Sequence, residues 1–205
     1  MAGSMSRADL VLSLRESLMD AASSFADNDA DFERHIDVAA ADMHRVKPRT
    51  LIGELTLVAD QGEYTAPLDM ARFKSALWGV QGAARAMPWD KHWPGELPRV
   101  RCVEGSISLL PPPSARQIAL LGSTYRFYYV GKDSIGTLAA DTTISADHRP
   151  ILLLRAQAEA MLDLALRDSV RPVQVGSGFG QQAKTGTPAA LRERLMTEWL
   201  AWGLR

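Results

Sequence analysis

The spacing of apolar residues changes twice along this chain, and those two changes limit the folds open to it. Leu10, Leu14, Leu18, Ala21 and Phe25, then Phe32, Ile36, Ala39, Met43 and Val46, recur at the three-to-four step of a helix face. Pro48 ends the second run. From Arg49 the period drops to two: Leu51, Gly53, Leu55, Leu57 and Ala59 alternate with Ile52, Glu54, Thr56 and Val58, which is a strand pattern. Near Pro150 the helical period returns, and after a Gly-rich loop over 175–186 it resumes in a last helix. This order predicts an α+β fold in which helices from both chain ends build one bundle and a mostly β subdomain is inserted between them. The expected parts are an N-terminal helical hairpin over 1–48, a β-rich insertion over 49–146, and C-terminal helices over 147–205 that complete the bundle.

Punctuation supports these elements. Ser6 and Asp9 have the spacing of a capping box ahead of the first helix. Asp60-Gln-Gly62 reads as a turn, with Glu63-Tyr-Thr65 beginning a return strand. The stretch 78–98, with its Pro and Trp residues, reads as an irregular connection. Arg99–Val103 and Ser106–Leu110 flank Glu104-Gly105 as a hairpin, and a short helix is expected at Ala115–Leu121. Tyr125, Phe127 and Tyr129 line one face of a strand over 124–130. The helix over 151–166 is apolar nearly all round, except that Arg155, Glu159, Asp163 and Arg167 stand at four-residue steps and gather into one stripe. Thr187 caps a last helix, with Pro188 at its first position.

Several chemistries are disfavoured. The chain is 46% hydrophobic and 23% charged, an ordinary globular balance. Its net charge of −1 offers no basic excess for nucleic acid or an anionic membrane. The charge is uneven, however: residues 1–48 hold five Lys/Arg against nine Asp/Glu. One cysteine, Cys102, allows neither an internal disulfide nor a multi-cysteine metal site, and in its strand it is expected simply to pack. No apolar run is long enough to span a membrane, and the first residues lack a signal-peptide pattern, so a cytoplasmic site of synthesis is expected. Asp27-x-Asp29-x-Asp31 imitates the start of a calcium loop, but Phe32 and Val38 stand where Gly and a bidentate Glu are needed. Asn28 or Asp29 reads better as a helix cap. Residues 178–185 have the spacing of a phosphate-binding loop with Ala183 in place of its second Gly, yet Gly186-Thr187-Pro188 starts the helix too late. The four histidines are scattered, with His35 and His44 expected on the polar side of the second helix. These readings nominate no catalytic residue, no metal ligand and no cofactor.

The last helix is the strongest interaction candidate. Leu195, Trp199, Trp202 and Leu204 crowd the final turns, either packing on the bundle or serving as an aromatic anchor in a partner.

Taken in order, these features resemble the head-to-tail adaptor (connector) proteins of tailed phages. The likeness runs through the helical pair, residues 55–67 (Leu-Thr-Leu-Val-Ala-Asp-Gln-Gly-Glu-Tyr-Thr-Ala-Pro), 107–113 (Ile-Ser-Leu-Leu-Pro-Pro-Pro), 125–129 (Tyr-Arg-Phe-Tyr-Tyr) and the helix at 150–168. The resemblance implies a structural, non-enzymatic protein of the virion neck: a ring of identical subunits, usually twelve, beneath the portal protein. It implies that DNA passes through the lumen only as non-specific cargo, that tail or neck proteins bind the far side, and that no membrane is involved. It further implies that the C-terminal segment docks on the portal, which nominates Leu195, Trp199, Trp202, Leu204 and Arg205. A ring needs complementary patches on each subunit, and Arg155, Glu159, Asp163 and Arg167 are the candidates. The alternatives are another neck or tail-completion protein, or a soluble ligand-binding domain.

Overall fold

A computed structural model describes residues 4–25, 29–80, 87–103, 105–169 and 187–204. The fold is α+β. The chain divides into two compact units, Met1–Lys47 with Asp133–Arg205, and Pro48–Lys132.

In the first unit, α1 spans Arg7–Leu18 and buries Leu10, Val11, Leu14 and Leu18. Its N-cap is Ser6, whose hydroxyl oxygen accepts from the Asp9 N–H at 3.3 Å, satisfying one of the donors that a helix start leaves open. The α-helix stops at Met19, which takes φ 49°, and one 3-10 stretch (Met19–Ser24) carries the chain on to the buried Phe25. Helix α2 spans Ala30–Asp42. Asp29 occupies its N-cap position but makes no side-chain cap bond; its carboxylate pairs with Arg15 instead. Asn28 and Asp27, the first residue of the calcium-like triplet, lie outside the described residues, as does the phosphate-loop segment 178–185. His35 departs from expectation. It is fully buried, because it follows Phe32 by one helical turn and so belongs to the apolar stripe. Residues 133–148 pack here too, contributing Ile135 and Ile144 to the core formed with Leu14, Ile36 and Leu152.

The long helix, Arg149–Ser169, and the last helix, Pro188–Ala201, close this unit. They are labelled α4 and α5 below, α3 being the short helix of the second unit. The Thr187 hydroxyl accepts from the Ala190 N–H at 3.3 Å, with Pro188 in the first turn, as the sequence predicts. The side of α5 toward the bundle buries Trp199 completely.

The second unit has two three-stranded antiparallel sheets, in the orders β1-β6-β3 and β2-β5-β4. The strands are β1 (Arg49–Thr56), β2 (Glu63–Thr65), β3 (Met70–Ala76), β4 (Arg99–Val103), β5 (Ser106–Leu110) and β6 (Thr124–Gly131). The return strand at Glu63 is present but does not pair with β1; its partner is β5, with Tyr64 opposite Ile107. β1 pairs instead with β6 along its whole length, from Arg49 opposite Gly131 to Thr56 opposite Thr124. The reason is visible in the register. Gly53 lies opposite Phe127, and the missing side chain makes room for the aromatic ring lying over it. Tyr125, Phe127 and Tyr129 are all buried, and burial pushes the Tyr125 hydroxyl up to about 12. Helix α3 (Ala115–Leu121) begins with a complete Ser114–Gln117 capping box. Cys102 does not pack in the core; β4 is an edge strand and its thiol is exposed.

Candidate functional site

The charged stripe of α4 turns toward α2. Arg155 is the most enclosed member, its side chain only 8% exposed. Its guanidinium donates to Asp42 of α2 (Nε–Oδ2 2.9 Å) and to Glu159 one turn on (2.8 Å). One arginine thus satisfies two carboxylates through separate faces of its fork, a geometry lysine does not reproduce. The Trp199 indole stacks beside this cluster, with the Arg155 and Arg45 guanidinium carbons each 5.9 Å from a ring centroid. The indole N–H itself is buried without a hydrogen-bond partner.

Two turns further along α4, Asp163 accepts from Arg34 of α2 at 2.8 Å and from Arg167 at 3.2 Å. Burial alone would raise this carboxyl, but the hydrogen bonds and charges of Arg167 and Arg34 outweigh it and hold Asp163 below its ordinary value. Arg167 also donates to Asp31 at 3.0 Å and to the Ser24 carbonyl at 2.7 Å, and lies over the Phe25 ring at 5.1 Å. His35 Nε2 stands 3.4 Å from Asp163. Even so, burial first and the Arg34 charge second keep this imidazole below the usual histidine value, with Asp163 opposing them. Its Nδ1 has no partner, and its ring meets Phe25 edge-on at 5.2 Å.

All four stripe residues therefore have partners within their own unit. Of the terminal group, Trp199 is a core side chain, and Leu195 and Trp202 are half-buried against the same core. Leu204 is 92% exposed and Leu200, one helical turn before it, 47%. Arg205 lies outside the described residues. A shallow apolar groove of about 410 Å³ runs beside the start of α5, lined by Leu18, Met161, Leu164, Leu191 and Leu195 among others. Among the described residues, no group of three or more His, Cys, Asp or Glu side chains could hold a metal ion, and no helix is long and apolar enough to cross a membrane.

Comparison with known families bears on what these features serve. The SU10 adaptor protein family matches residues 5–198. This chain belongs to the SU10 adaptor protein family. The adaptor is a structural head-to-tail component of a virus particle. Its family match takes in residues of both units, including the ion-paired stripe and α5 as far as Glu198. Among solved structures, the adaptor is similar to a chain described as "Neck of native GTA particle computed with C12 symmetry". That likeness has 15% identity and a TM-score of 0.27, over 90% of this chain and 86% of the other. No curated protein matches.

The sequence marked the stripe of the adaptor but not its partners. Asp31, Arg34 and Asp42 come from α2, and only their spacing of three and then eight residues, one and then about two turns of that helix, could have signalled a matching face.

Proposed function

We propose that this adaptor assembles as a closed ring of identical subunits, twelve in number, seated beneath a portal protein and continuing the DNA channel toward the tail. The observation that carries this reading is membership of the adaptor family across residues 5–198. The role is structural, without catalysis or cofactor. Tail or neck proteins bind the side away from the portal, and DNA is cargo, consistent with a chain of net charge −1 and an acidic first 48 residues that would not grip a polyanion.

Within this reading the C-terminal helix docks on the portal. Leu195, Trp199 and Trp202 hold the helix against its own bundle, while Leu200 and Leu204 offer the apolar side chains a partner would cover. Arg205 follows in the sequence as a candidate contact to an acidic group. The stripe Arg155, Glu159, Asp163 and Arg167 has its charges matched by α2. We assign it to the stiffness of the ring wall, with neighbouring subunits meeting through other surfaces.

The test is capture by immobilised portal protein from the same genome. Truncating α5 would remove the buried Trp199 and unfold the unit, so point changes are needed. A Leu200→Glu, Leu204→Glu double variant should keep its helical signal and lose about tenfold or more in affinity, as expected for apolar contacts at an interface centre. Capture equal to wild type would overturn the docking assignment.

A further inference from the structure

The β2-β5-β4 sheet has two open edges among the described residues, since β5 is its middle strand and β2 and β4 each pair on one side only. An edge strand leaves alternate N–H and C=O groups without a ladder partner, and folds commonly blunt such edges with charge or proline. Here the two edges are blunted with opposite charges. β4 presents Arg99 and Arg101, both exposed, whereas β2 presents exposed Glu63.

The register makes that opposition specific. Glu63 and Arg101 both stand opposite Ser108 of β5, so they occupy one row across the sheet and share its outward face. Thr65 and Val103 share the next row, through Ser106. The face between these rows forms a groove of about 390 Å³, in which Val103 and Leu110 remain 54% and 51% exposed. Because β2 and β4 are both antiparallel to β5, they run parallel to each other. A second copy displaced sideways would therefore bring its β2 alongside β4 in a parallel pair, without turning the sheet over.

We propose that this sheet is continued between copies of the chain, the β4 edge of one subunit lying beside the β2 edge of the next with Arg101 against the neighbour's Glu63. The contact is head-to-tail, the kind a ring requires, and the inference rests on the ring assembly proposed above. The charges also exclude the competing pairings. Two β4 edges would set Arg99 and Arg101 against their own copies, and two β2 edges would oppose Glu63 to Glu63, each a like-charge contact. In the isolated chain the Gln61 side chain donates to the Glu63 carbonyl at 2.9 Å, and that bond gives way to the neighbour's strand on assembly.

The experiment uses the full chain mixed with its portal protein. On a Cys102→Ser background, Thr65→Cys and Val103→Cys together place thiols in adjacent strands within disulfide reach, about 4.4–6.8 Å between Cα atoms. Oxidation of the assembled complex should give a ladder of covalent multimers, whereas either cysteine alone should give none beyond a dimer. Assembled rings that yield no ladder would overturn this sheet contact while leaving the ring reading intact; failure of the wild-type chain to assemble would overturn both. A charge series guards against an uninformative cysteine variant. Arg101→Glu and Glu63→Arg should each weaken assembly about fivefold, and the double reversal should restore it to within about twofold. Loss with Arg101→Glu that the double reversal does not rescue would mean that β4 takes a different, acidic partner, and would also overturn the proposal.

Discussion

Replacing Arg155 with Met tests whether α4 is held to α2 by charge in a protected setting. The methionine keeps most of the aliphatic bulk, so the change isolates the guanidinium. Two carboxylates lose their short contacts at once: Glu159, with its side chain 17% exposed, and Asp42, at 25%, which keeps only Arg45 at 3.8 Å. Stranding a fully buried charge costs about 3–5 kcal/mol. Both carboxylates here retain some water, which places the loss at about 2–3 kcal/mol, and the contact with the Trp199 ring adds about 0.5–1 kcal/mol. The sum is about 3 kcal/mol. For a chain of this size a urea slope of about 2–3 kcal/mol per molar turns that into a fall of about 1–1.5 M in the unfolding midpoint. Far-ultraviolet circular dichroism reads the right unit, because α1, α2, α4 and α5 all belong to it. The control is Arg126→Met, which breaks the exposed pair with Glu54, side chains 73% and 56% exposed, and should move the midpoint by no more than about 0.2 M. If Arg155→Met behaves like Arg126→Met, the cluster is no more than a surface decoration and the reasoning is refuted.

Three further outcomes are expected. His35 resists protonation in the folded state while the unfolded chain binds a proton near the ordinary value of 6.5, so stability is full above that pH and declines below it. The decline is at most about 1.4 kcal/mol per pH unit, and His35→Gln should flatten it in urea titrations between about pH 6.5 and 5; an unchanged slope would contradict the assignment. Gly53→Ala drives a methyl group into the Phe127 ring and should destabilise the β unit by about 1–3 kcal/mol, read from near-ultraviolet dichroism on heating. Trp199→Ala should cost about 3–5 kcal/mol in the helical unit, and a loss below about 1 kcal/mol would show that α5 is only loosely attached.

Much of the fold was legible because local signals agreed with one another. The Ser6 and Thr187 caps, the 3.6 and 2.0 periods, and the hairpin around Gly105 all depend on neighbours close in sequence. What was not legible depends on distant contacts. A run of alternating residues fixes which side chains share a face but not which strand lies alongside, so β2 could be placed while its pairing with β5 could not. Burial of His35 follows from its phase on α2, yet a histidine is usually assigned to the polar side, and only the partners Phe25 and Asp163 make its burial tolerable. Ile135 and Ile144 enter the helical core from a segment with no repeating period. The candidate site shows the same division. The four-residue step of Arg155, Glu159, Asp163 and Arg167 was plain in the sequence, but whether those charges face another subunit or another helix is decided by Asp31, Arg34 and Asp42 in space.

Assembly with the portal is the central claim, and solution mass tests it most directly. Light scattering should be run on the chain alone and after mixing with the portal protein from the same genome, at salt concentrations that support packaging. The account predicts a complex whose mass exceeds the portal by a full ring of 22.4 kDa subunits. A mixture that scatters as its two separate components would contradict it.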